Sequence, residues 1–127
     1  MVRKNKRKTS NFETHDVCLK LATYTINILD NEKNFPKSHE ALTNRMREES
    51  TAIYHLVRVA NLRNVKTEKD ERLRLQKLAI EKCDELTSDI MISKGIFHVK
   101  TKRILHWKAL VDDARNHIVA WNRSELK

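Results

Sequence analysis

The last long segment of the chain sets Ile104, Trp107, Val111, Ala114, Ile118 and Trp121 at spacings of three and four. On a helix these positions make one apolar seam, opposite a face of Lys102, Lys108, Asp112, Arg115 and Asn116. A seam that holds both tryptophans of the chain cannot stay in water, so it requires apolar partners of similar length elsewhere in the sequence. Three further segments have that pattern. A single Gly and a single Pro in 127 residues argue against strand-rich folds, which need many tight turns, and against a Gly-rich phosphate loop.

The first of these segments is expected from about Glu13 to Asp30, after a capping box formed by Ser10 and Glu13. Val17, Leu21, Tyr24 and Ile28 line one side, and Leu19, Ala22, Ile26 and Leu29 the other, so this helix needs cover on two sides. Phe35-Pro36 ends it, because proline disfavours helical geometry in the residue before it. Ser38 is then placed to cap a second helix over His39–Arg63. Its stripe is Leu42, Met46, Ile53, Leu56 and Ala60, with Tyr54, Val57 and Asn61 beside it. Glu49 falls inside that stripe, where an ionised carboxylate requires a cation or several donors.

After Asn64-Val65-Lys66-Thr67, with Thr67 and Asp70 approximating a cap, the third helix is expected over Glu68–Ser93. Leu75, Ala79, Cys83, Leu86 and Ile90 form one stripe and Leu73, Ile80 and Met91 an adjoining one, together an arc of roughly 160°. Gly95 stands where a left-handed C-terminal cap is expected. The fourth helix runs from about Lys100 to Asn122. Four helices on short connections predict an all-α, antiparallel up-down-up-down four-helix bundle over residues 10–127. The two-sided helices predict its assembly into a homo-oligomer.

Charge defines the partner class. The net charge is +9, and residues 1–10 hold five of the 26 basic side chains and none of the 17 acidic ones. Residues 1–9, with Arg3, Lys4, Lys6, Arg7 and Lys8 and little apolar surface, are expected to form a disordered basic arm. Polyanions are the natural partners of such a chain. No apolar run is long enough to span a bilayer, no apolar stretch follows the charged N-terminus as in a signal peptide, and Cys18 and Cys83 read as reduced core thiols. The expected location is the cytoplasm, without membrane attachment.

Catalytic and metal patterns are sparse. His15, His39, His55, His98, His106 and His117 include no i,i+4 pair and no partnership with cysteine at zinc spacing, so no metal or cofactor site is expected. Asp112 and Asp113 point about 100° apart on a helix, and Glu68, Asp70 and Glu71 suit the positive end of a helix dipole. Neither set converges as an active site must. The basic positions Arg45, Arg58 and Arg63 on the second helix, with Arg72, Arg74 and Lys77 on the third, flank the connection between them. With the arm they predict sequence-independent contact with backbone phosphates of RNA or DNA.

Phe35-Pro36-Lys37, Leu42, Arg45, Ala60-Asn61 and Trp121 followed by Arg123-Ser124 together resemble one four-helix-bundle family. It contains the accessory variability determinant proteins of diversity-generating retroelements and the proteins encoded in intervening sequences of bacterial 23S ribosomal RNA genes. Arg72-Leu73-Arg74-Leu75-Gln76, Cys83-Asp84-Glu85-Leu86 and His106-Trp107 look more like the retroelement branch. That resemblance implies a non-enzymatic pentameric ring that binds a reverse transcriptase and its RNA or DNA and supports mutagenic copying of a template repeat. The intervening-sequence branch implies the alternative, a structural or protein-interaction bundle without nucleic-acid function. Two features depart from the family pattern: Lys100 where a Ser often caps the fourth helix, and the basic arm.

Overall fold

In a computed structural model of the protein, residues 2–31 and 34–127 are described, with side chains from residue 13 onward. Four long helices follow one another: α1 (Val2–Leu29), α2 (Glu40–Leu62), α3 (Lys69–Ile96) and α4 (Thr101–Leu126), with a 3₁₀ turn at Lys37–His39 before α2. No strand occurs among the described residues. α1 starts at Val2 rather than near Glu13. The side chains of the basic arm and of Ser10 lie outside the described residues.

Each helix packs on its neighbour in the chain, and α1 also packs on α4, so the four surround one core. The seam of α4 is buried throughout: Trp107, Val111, Ala114 and Ile118 are fully enclosed, and Ile104 and Trp121 nearly so. Cys18 and Leu21 of α1, Met46, Ile53 and Ala60 of α2, and Ala79, Cys83, Leu86 and Ile90 of α3 meet that seam. Each fully buried Ile or Leu here contributes about 1.5–3 kcal/mol. Both cysteines are free and buried. Burial pushes the thiols up, that of Cys83 to about 12, so neither is a ready nucleophile.

Directional contacts tie the helices at both ends. Arg45 early in α2 meets Asp89 late in α3, and Arg72 early in α3 meets the last carbonyls of α2. Trp107 early in α4 donates from Nε1 to Thr25 Oγ1 late in α1 at 2.9 Å, while Asn122 late in α4 donates to Gln76 early in α3 at 3.0 Å.

The punctuation between helices differs from the sequence expectation in three places. Ser38 lies inside the 3₁₀ turn, and the residue that precedes α2 is His39, without a side-chain cap. Thr67 does not cap α3; instead Asn64 Oδ1 accepts from the N–H groups of Lys66 and Thr67, and Glu68 Oε1 accepts from the N–H of Asn64. Gly95 is not a left-handed cap, for α3 continues through it to Ile96 and no described residue has a positive φ. An α-helix that can continue keeps its hydrogen bonds, and here the Phe97 N–H closes the last turn on Ser93 O at 2.8 Å.

Two-sided burial is partial. On the second side of α1, Ala22 and Leu29 are buried within this one chain, and Leu19 is exposed. On α3 the exposed apolar side chains are Met91, Ile92 and Ile96.

Candidate nucleic-acid interface

The cations chosen from the sequence on α2 and α3 are not equivalent once folded. Arg58 and Lys77 are exposed and make no ion pair among the described residues. Arg63 is exposed and loosely paired, its Nη1 lying 3.8 Å from Glu68 Oε2. Arg74 is held by Glu71 one turn earlier, at 2.9 and 2.6 Å. Exposed pairs of this kind are worth about 0–1 kcal/mol, so a phosphate can compete with Glu71 or Glu68 for them. Arg45 makes a two-point bond to Asp89, from Nε to Oδ2 at 2.9 Å and from Nη2 to Oδ1 at 2.7 Å. Its geometry is bidentate and harder to displace.

Arg72 is not at the surface. Its side chain is 3% exposed, and its donors are used inside the bundle. Nη1 donates to the carbonyls of Ala60 at 2.9 Å, Arg63 at 2.8 Å and Asn61 at 3.3 Å, at the C-terminal end of α2. Nε and Nη2 grip the two carboxylate oxygens of Glu125 on α4. Glu125 also accepts from Gln76 Nε2 at 3.0 Å and from Trp121 Nε1 at 2.7 Å, and the Arg72 guanidinium lies 5.6 Å from the Trp121 ring centre. Burial pushes the Glu125 carboxyl up, but the bonds from Arg72, Gln76 and Trp121 and the Arg72 charge outweigh it, leaving it below the ordinary glutamate value. Arg72 is enclosed for a simple reason: a guanidinium has five donors, and the ends of α2 and α4 supply acceptors for them. Arg72 is a structural clamp and leaves the phosphate-contacting set.

Glu49 also resolves differently from the expected cation partnership. It is 5% exposed, and its Oε1 has no hydrogen-bond partner among the described residues. Arg45 serves Asp89 instead. Burial, followed by the hydrogen bond to Asp89 and the charges of Asp89 and Glu85, pushes Glu49 up to about 8 against the pull of Arg45. Burial thus favours its neutral form. Burial raises Asp89 too, but the bonds from Arg45 and Glu49 and the Arg45 charge bring it below its usual value.

Asp112 pairs with Lys108 at 3.1 Å and Asp113 with His117 at 3.4 Å, each one turn away on α4, so the two adjacent aspartates serve different partners. No group of three His, Cys, Asp or Glu side chains among the described residues is arranged to hold a metal ion. No described helix is long and apolar enough to cross a membrane.

A second set of cations lies outside those marked by the sequence pattern on α2 and α3. Lys37, Lys94, Lys100, Lys102 and Arg103 are all exposed and make no ion pair among the described residues. The signal that marks four of them is an absence: from Ile90 to Val111 the chain has no Asp or Glu. An excess of lysine and arginine is easily noticed on a helix that also carries acids, whereas a stretch lacking acids stands out only on reading what is missing.

The chain matches no protein-family model, no curated protein and no solved structure.

Proposed function

We propose that this protein is a non-catalytic accessory protein of a diversity-generating retroelement. It binds RNA or DNA through backbone phosphates and docks the element's reverse transcriptase in the cytoplasm, as the resemblance implies. The observation that carries the nucleic-acid part is the set of exposed cations with no carboxylate partner among the described residues, Arg58 and Lys77 among them, on a chain of net charge +9. The early-to-late contacts between successive helices support an antiparallel up-down-up-down order. Exposed Leu19, Met91 and Ile92 support a homo-oligomer, since these apolar side chains remain for another subunit to cover, and the pentameric ring is what the resemblance implies.

Retention of labelled RNA and duplex DNA across a salt series tests the reading, beside mass measurement in solution and co-purification with a reverse transcriptase encoded next to the gene. Neutralising Arg3, Lys4, Lys6, Arg7 and Lys8 lowers the salt slope by up to about 0.9 per lost duplex phosphate contact. A monomer that ignores both polymers at physiological salt defeats the reading and leaves the intervening-sequence type of interaction bundle in its place.

A further inference from the structure

We propose that the seat for the sugar-phosphate backbone is the end of the bundle where α3 passes into α4, rather than the α2 and α3 faces around Arg58 and Lys77. This inference rests on the nucleic-acid reading above and assigns it a place.

Three aromatic contacts gather the chain at this end. Phe35 and Phe97 lie with ring centres 4.8 Å apart, His39 stands edge-on to Phe97 at 5.3 Å, and Phe35 meets Trp107 at 6.3 Å. Phe35 and Phe97 are both buried, so the connection before α2 and the connection before α4 are fixed to the same apolar base. That base brings Lys37 to the same end as Lys94, Lys100, Lys102 and Arg103. Arg103 is also close enough to Tyr24 on α1 to draw its hydroxyl downward, against the larger upward effect of burial.

The charge at this end is mostly positive. Its described carboxylates are Asp30, which Arg47 engages at 3.1 Å, Asp89, which Arg45 holds by two bonds, and exposed Glu40. At the opposite end, Lys66, Lys69 and Arg63 alternate with Glu68, Asp70 and Glu71, and Arg72 is sealed against Glu125. Among the described side chains, the cations at the α3–α4 end therefore have fewer carboxylates beside them than those at the opposite end, which favours the approach of a polyanion here. Lys102 and Arg103 sit in the first turn of α4, which has no acid and no side-chain cap. Positive charge at that end of a helix opposes its dipole, a cost on the order of 0.3–1 kcal/mol that a bound phosphate relieves.

The chemistry favours nucleic acid over a membrane. Exposed Ile92, Ile96 and Leu105 flank the cations, but residues 36–40 and 98–103 between them carry no exposed large apolar side chain, so this end offers charge rather than a continuous apolar face for lipid. They also present no arrangement for reading base edges, so contact through phosphates is sequence-independent.

The test uses the full chain and labelled probes of about 20 nucleotides, single-stranded RNA and duplex DNA, with anisotropy read over a salt series. One variant carries K94Q, K100Q, K102Q and R103Q. A second, with the same loss of charge, carries R58Q, K66Q, K69Q and K77Q. All eight side chains are exposed, and unchanged helical circular dichroism and melting temperature establish that both variants fold. Affinity is expected to fall at least about tenfold in the first variant, with a salt slope smaller by up to about 0.9 per lost duplex contact, and to change much less in the second. Equal losses in the two variants, or a larger loss in the second, overturn the location while leaving nucleic-acid binding intact. If the wild-type protein ignores both probes, the nucleic-acid reading fails as well. Retention on phosphatidylserine vesicles or polyglutamate, with neither RNA nor DNA bound, overturns the occupant.

Discussion

Arg72 of α3 and Glu125 of α4, 53 residues apart in the chain, form a two-point ion pair from which water is nearly absent. The same guanidinium closes the carbonyl end of α2, so one side chain fastens three helices. Replacing Arg72 by Met leaves Glu125 as an unmatched, largely buried charge and frees three carbonyls. A loss of about 3–5 kcal/mol is expected in urea unfolding. Because Glu125 stands below its ordinary value, this pair contributes fully above the unfolded glutamate range and is lost as pH falls through the depressed value in the folded state. A cycle with Glu125→Gln reads the coupling directly. Additive single effects would show that the two residues act separately.

Glu49 reverses that pH dependence. Burial holds its carboxyl up at about 8 in the folded chain, against about 4.5 for an ordinary glutamate. The groups that act on it are Arg45 on its own helix and Lys82, Glu85 and Asp89 on α3. Between those two pH values the unfolded chain releases a proton that the folded one keeps. Stability therefore falls as pH rises from about 4.5 to 8 and levels off above. Glu49→Gln keeps the shape and removes the titration. Its unfolding free energy is expected to lack that decline and to exceed the wild type's by about 1–3 kcal/mol at alkaline pH. Parallel curves for the two proteins would place the decline elsewhere.

Trp107 is fully buried, and its indole N–H has Thr25 Oγ1 as partner. Thr25→Val preserves volume closely and deletes the acceptor. Leaving that N–H unpaired is expected to cost about 1–3 kcal/mol by denaturant titration. A neutral result would mean that the indole finds another acceptor.

Gly95 separates two accounts of the end of α3. The glycine lies within the helix, its φ is not positive, and an added Cβ would meet nothing within 4 Å. Gly95→Ala is expected to raise stability by about 0.5–1 kcal/mol through helix propensity. Thermal melting decides it, since a left-handed cap would make the same change destabilising.

The candidate interface was legible only in part for a similar reason. Arg58, Arg72 and Lys77 are alike as letters on neighbouring helices, and nothing in their spacing says that one of the three is sealed inside. Glu125, 53 residues further along the chain, and the carbonyls of Ala60 and Arg63, 12 and 9 residues back at the C-terminal end of α2, decide that. Lys94, Lys100, Lys102 and Arg103 were legible through the missing carboxylates around them, but their union with Lys37 depends on Phe35 meeting Phe97.

Apolar spacing alone determined that this chain forms helices and which face of each is hidden. A period near 3.6 admits no other regular structure, and the α4 seam from Ile104 to Trp121 is buried as that spacing requires. Helix ends, the protonation of Glu49 and the division of cations into clamps and free charges were decided by tertiary structure. Each depends on which polar groups arrive at a given point from other helices, and a hydrogen bond or an ion pair extends only a few ångströms, whatever the separation along the chain.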